Sequence, residues 1–252
     1  MKIRSIVALI GLAVASAPAF AQPFVANDPT PSVINPAPGS EADLQEIADD
    51  LFGPGHINVV TGQSSAGLFS SATPSAASTI PTLVAEYTDH AASQVFGIWF
   101  GTDVGNVVTY DLLLGGAMAG DAAGMTINGN TLKVFGADCA PVVNCGTFVN
   151  ALINPTSFGF YFRANSQPGT PNYYSLDQLN PGPRDDRVVA FQDGATTNWL
   201  FAYEDGTDFD YNDMAVKVES IVAVPIPEPE TYALMLAGLG VMGYMNRRRK
   251  RA

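Results

Sequence analysis

The sequence predicts a mainly β protein: an antiparallel β-sandwich of jelly-roll-like kind with one short N-terminal helix, an N-terminal signal segment and a C-terminal apolar helix. Three observations predict it. From His56 onward, short β-branched or aromatic runs follow one another, Gly, Asn, Asp, Ser and Pro separate them, and no helical period intervenes. Strands joined by turns rather than by crossover helices form antiparallel sheets, and two such sheets bury one face each against the other.

The elements divide the 252 residues into four parts. Residues 1–21 carry Lys2 and Arg4, an apolar core from Ile6 to Ala15, and a small-x-small close at Ala19-Phe20-Ala21. That is the three-part layout of a secretory signal peptide, with cleavage expected after Ala21. Residues 22–39 hold prolines at 23, 29, 31, 36 and 38 and no period, which predicts an extended, mobile spacer. A helix is expected over "SEADLQEIADDLFG": Ser40 can cap it with Asp43 three residues on, Leu44, Ile47 and Leu51 share a face, and Gly53 can end it.

The body, residues 40–222, is read as one sandwich domain. Its strand runs are "INVVT", "TLVAEY", "VFGIWF", "VVTYDLLL", "TLKVF", "SFGFYFRA", "RVVAF", "WLFAY" and "MAVKVESI". Asn128-Gly129 within "MTINGNTLKVF" is a hairpin signal of the type I′ kind. Residues 223–252 run from a Pro-rich spacer through 14 uncharged, mostly apolar residues, Tyr232 to Met245, to a basic end. As helix those 14 residues would span roughly 21 Å against a hydrocarbon core of about 30 Å, marginal for a permanent span. The basic cluster would stay cytoplasmic and leave the body outside.

Charge excludes one class of partner. The whole chain has 12 bases and 24 acids, but between Gln22 and Pro225 only five bases stand against 22 acids. A body charge of −17 repels nucleic acid and anionic lipid and attracts divalent cations. Cys139 and Cys145 are separated by five residues, and in an exported chain they are expected to close a small disulfide loop.

The acids are also locally concentrated. Glu204 to Asp213 holds five carboxylates and no base, directly before an apolar run. Asp208, Asp210 and Asn212 form D-x-D-x-N, a spacing that lets a tight loop point oxygens at one centre. Calcium takes six to eight hard oxygens at about 2.4 Å. The same residues also suit a solvated acidic turn whose side chains satisfy loop backbone groups. The helical calcium-loop pattern is not met, because Asp213 stands where that loop needs glycine. In "MAVKVESI", Met214, Val216 and Val218 share a face that Phe209 and Tyr211 cannot share without a turn near Asn212-Asp213.

The C-terminal residues carry a resemblance. Pro227-Glu228-Pro229, an apolar stretch with Gly238 and Gly240, and the cluster Arg247, Arg248, Arg249 resemble the PEP-CTERM sorting signal of Gram-negative bacteria. The resemblance implies export through the Sec translocon, transient insertion in the inner membrane, and recognition by an exosortase that cuts near the Pro-Glu-Pro. The body would then reach the cell surface or exterior. "WLFAYEDGTDFDYNDMAVKV" is similar to the closing motif of an uncharacterised domain common in such exported proteins. That likeness implies a β-sandwich with a calcium site whose candidate ligands are Glu204, Asp205, Asp208, Asp210 and Asp213, with Asn212 in support. The loop between Asp205 and Asp208 is shorter here than in many members.

Catalysis finds little footing. Only His56 and His90 could serve a nucleophile, and no Ser sits in a G-x-S-x-G elbow. A carboxylate pair for glycoside hydrolysis is not singled out by any spacing. The expectation is therefore a non-enzymatic surface or extracellular-matrix protein, associated with exopolysaccharide or biofilm. The alternative is a lectin-like, carbohydrate-binding module using Trp99, Trp199 or the pair Tyr173-Tyr174. Trp99 and Trp199 lie in apolar runs and are expected in the core.

Overall fold

The computed structural model describes residues 24–25, 27, 33–35, 37, 42–72, 78–79, 81–85, 92–117, 119–138, 150–152, 157–165, 167, 169–180, 182, 186–206, 208–226, 234–242 and 247. The signal residues Ala19 and Ala21, the cysteines Cys139 and Cys145, and Pro227, Glu228, Pro229, Arg248 and Arg249 lie outside them.

One α-helix, α1 (Leu44–Phe52), precedes fourteen strands among the described residues. In chain order these are β1 (Phe69–Ser71), β2 (Ser78–Thr79), β3 (Pro81–Ala85), β4 (Val95–Gly101), β5 (Val107–Leu113), β6 (Ala122–Asn128) and β7 (Thr131–Asp138). There follow β8 (Asn150–Leu152), β9 (Phe158–Arg163), β10 (Tyr173–Tyr174), β11 (Val188–Gln192), β12 (Trp199–Tyr203), β13 (Met214–Val218) and β14 (Ile221–Ala223). They form two antiparallel sheets. One has the order β14-β1-β9-β4-β5 with β10 beside β9; the other runs β11-β12-β13-β3-β6-β7-β8 with β2 beside β6.

The period of two along each strand sorts side chains between layers. Phe96, Ile98 and Phe100 of β4 and Phe158, Phe160 and Phe162 of β9 point between the sheets. Trp199, Phe201 and Tyr203 of β12 and Met214, Val216 and Val218 of β13 meet them there. The alternate residues are buried too, which is why these runs read as continuously apolar. Val189, Phe191, Leu200, Ala202 and Ala215 are covered by Leu44, Ile47 and Ala48 of α1 and by Val33, Ile57 and Val59. On the far side, Val95, Trp99 and Tyr161 pack with Leu68 and Leu176.

The outer aromatic rings lie over glycines of the neighbouring strand. Gly97 is opposite Tyr161 and Gly159 is opposite Trp99. A methyl group on Gly159 would collide with the indole, and one on Gly97 with the phenol ring. Gly159→Ala is therefore expected to displace Trp99 and destabilise the fold by about 1–3 kcal/mol, read as a lowered melting temperature.

Local details depart from the sequence expectations. Asp43, not Ser40, occupies the N-cap position of α1, and its carboxylate accepts a bond from the Ala37 amide at 2.5 Å rather than capping the helix. Gly53 ends the helix at φ 94°, as its position suggests. The hairpin turn falls one residue later than expected: Asn128 pairs with Thr131, so Gly129-Asn130 is the loop and Gly129 takes φ 55°. "INVVT" forms a turn and no strand, because the Asn58 carboxamide accepts bonds from the amides of Val60 and Thr61, both at 3.0 Å. The Pro-rich segment is anchored where it is described: Phe24 meets Trp99 edge-on at 5.6 Å, and the Ile34 amide donates to the Phe209 carbonyl at 2.8 Å.

The C-terminal helix covers 234–242 and keeps Leu234, Met235, Leu236, Leu239, Val241 and Met242 exposed. Among the described residues no helix is long and apolar enough to cross a membrane.

Candidate metal centre

β12 delivers Glu204 directly from the sheet, and β13 resumes at Met214, so the acidic residues form the loop joining two paired strands. The loop closes tightly because Phe209 and Tyr211 take φ 60° and 57°, left-handed values costing about 1 kcal/mol each for such residues. Their packing holds them there. Tyr211 is buried among the residues outside β11, β12 and β13, with Phe209 beside it, and its hydroxyl donates to the Asp186 carbonyl at 3.0 Å. The alternation leaves Asp208, Asp210 and Asn212 on the positions between.

Three of the six expected ligands converge. One carboxylate oxygen each from Glu204, Asp208 and Asp210 lies within 4.8 Å of the others. Glu204 and Asp210 are buried, while Asp208 is exposed and leaves a path from solvent. The other three hold the loop. Asp205 accepts from the Gln94 carboxamide at 2.7 Å, and Asp213 accepts from the Asp205 amide at 2.7 Å. Asn212 is fully buried and donates to the Ala42 carbonyl at 3.2 Å.

Burial, and then the charges of Asp208 and Asp210, hold the Glu204 carboxyl above the usual carboxylate range. Burial likewise pushes Asp213 up to about 8. Arg187, which sequence spacing did not point to, stands beside Glu204. Its guanidinium lies 3.9 Å from Glu204, donates to the Gly206 carbonyl, and sits over the rings of Tyr173 and Phe209 at 5.9 and 5.8 Å. The guanidinium thus neighbours one of the three converging carboxylates. Opposed ligands about 2.4 Å from a calcium ion are about 4.8 Å apart, so the spacing and the hard oxygen donors fit that cation.

Asp186, next to Arg187, is a second group that spacing did not find. Burial, and then the charge of Asp177, push its carboxyl up to about 8. The folded state therefore keeps a proton that the unfolded chain releases near pH 4, so stability falls as pH rises from about 4 to about 8. Asp186→Asn is expected to remove this group's share of that limb, raising the melting temperature at pH 8 and leaving it unchanged near pH 4, as melting against pH would show.

The aromatic platforms expected of a sugar-binding face are engaged elsewhere. Trp99 and Trp199 are fully buried; Tyr174 packs edge-on against Trp99, and Tyr173 packs against the core. No exposed large apolar side chain among the described residues is aromatic.

Comparison with protein families places this loop and the C-terminal segment in context. Residues 146–221, which include the whole acidic loop, match the model of a domain of unknown function (DUF4114). Residues 225–250 match that of the PEP-CTERM protein-sorting motif. The chain thus carries a C-terminal match to the PEP-CTERM sorting motif behind a match to an uncharacterised domain. The motif implies export to the cell envelope or surface and processing by exosortase on the way. Comparison with curated proteins and with solved structures returned no match.

Proposed function

We propose that this PEP-CTERM protein is a non-catalytic component of the cell surface or extracellular polysaccharide matrix, whose β-sandwich is fastened by calcium after exosortase has removed the sorting tail. The observation that carries the reading is the convergence of Glu204, Asp208 and Asp210 at the junction of β12 and β13. A bound cation would neutralise buried like charges and fix the loop against α1 and the second sheet. Outside the cell calcium is abundant, and a body with 22 acids and five bases draws it in. The tail inserts transiently in the inner membrane and is then lost, and Cys139 and Cys145 pair after export.

Intact mass and metal content of the protein recovered from the cell exterior test this together. The expected species lacks residues 1–21 and the basic C-terminus, is lighter by two hydrogens for the disulfide, and carries one calcium per chain. A metal-free exported species in calcium-containing medium would overturn the calcium reading.

A further inference from the structure

The chain beyond β14 does not leave the body at Ala223. The Val224 amide donates to the Leu68 carbonyl at 2.8 Å, extending the β14–β1 ladder by one bond. Pro225 has no amide hydrogen, so the ladder ends there, and prolines at 225, 227 and 229 cannot rebuild it. Yet the residues on either side of Pro225 stay attached. Val224 and Ile226 are half-buried against the cluster of Trp99, Tyr161, Leu68 and Leu176, while Pro225 faces solvent. This is strand alternation carried on by side chains after the hydrogen bonds have stopped.

The other end of the mature chain docks on the same face. Phe24 lies edge-on to Trp99, the Val25 amide donates to the Gln178 carboxamide at 2.9 Å, and Asn27 bonds both the Ser175 carbonyl and the Asp177 amide, at 2.8 and 3.0 Å. Trp99 is fully buried because these two segments help to cover it.

We infer that Val224–Ile226 is a strap belonging to the folded body, closing the Trp99 face beside Phe24, and that processing of the sorting tail falls beyond Ile226 and leaves the strap in place. A cut before Val224 would uncover apolar surface on the outside of β4 and β9. The sorting motif, matched over 225–250, overlaps the strap, so its Pro-Glu-Pro starts at the first residue after the docked ones. The part concerning processing rests on the exosortase reading; the strap does not.

Brief digestion of the full chain with a low-specificity protease, followed by mass measurement, tests the strap alone. The protected core is expected to end at Ile226 or later. In a Trp199→Phe background, where Trp99 is the sole tryptophan, Val224→Asp with Ile226→Asp should shift that end to before Val224 and raise acrylamide quenching at least twofold. Trimming of the unsubstituted chain to Ala223 or earlier with an unchanged melting temperature would overturn the strap, as would unchanged quenching in the double variant. The C-terminus of the exported product then decides the rest: an end at or after Ile226 and before Arg247 supports the inference, and an end before Val224 overturns it. An exported product still carrying Arg247 would refute the exosortase reading while the digestion decides the strap.

Discussion

Phe160→Ala is expected to cost about 3–5 kcal/mol, a large share of the stability of an ordinary domain. Phe160 sits on β9, which β1 and β4 flank, and is fully buried. Its ring lies 4.8 Å from Phe201 of the facing sheet, 5.3 Å from Phe96, and 5.8–5.9 Å from Phe158 and Phe69. Truncation opens a cavity lined by rigid rings that cannot collapse into it, so the transfer and cavity contributions add. Phe160→Leu should recover more than half of the loss. Urea denaturation of the two variants measures both values.

Asp210→Asn should change sign with calcium. Without the ion, Glu204, Asp208 and Asp210 repel one another in a partly buried site, so removing one charge is expected to raise the melting temperature by a few degrees. With calcium present the same substitution removes a charged ligand, and affinity should fall at least tenfold, lowering the melting temperature relative to the unsubstituted protein. A merely structural aspartate would give the same sign in both conditions. Calcium titration by calorimetry and paired thermal scans separate the two cases.

Fold class was legible because strand runs and turn residues alternate from His56 onward, but the layer each side chain joins was not. "VFGIWF" is apolar throughout, and only pairing with β9 sends Phe96, Ile98 and Phe100 inward and Val95 and Trp99 outward. Ser78–Thr79 and Tyr173–Tyr174 are strands two residues long, too short to show a period. Asp208 and Asp210 were readable from their spacing, whereas Glu204 rested on resemblance. The bond that Asp205 makes depends on Gln94, more than a hundred residues away in sequence, and the one that Asp213 makes depends on the Asp205 amide. Arg187 and Asp186 reach the loop only because β11 pairs with β12. The spacer's prolines read as mobility because nothing local reveals that Phe24 will meet Trp99.

The melting temperature of the processed protein, with calcium and then with chelator, decides whether the Glu204–Asp213 loop holds an ion. At a hundredfold excess over its dissociation constant, one ion should add about 2.7 kcal/mol, a rise of roughly 5–10 °C for a chain of this size. Asp208→Ala with Asp210→Ala should abolish the difference. Equal melting temperatures in calcium and in chelator for the unsubstituted protein would reduce the Glu204–Asp213 loop to a solvated acidic turn.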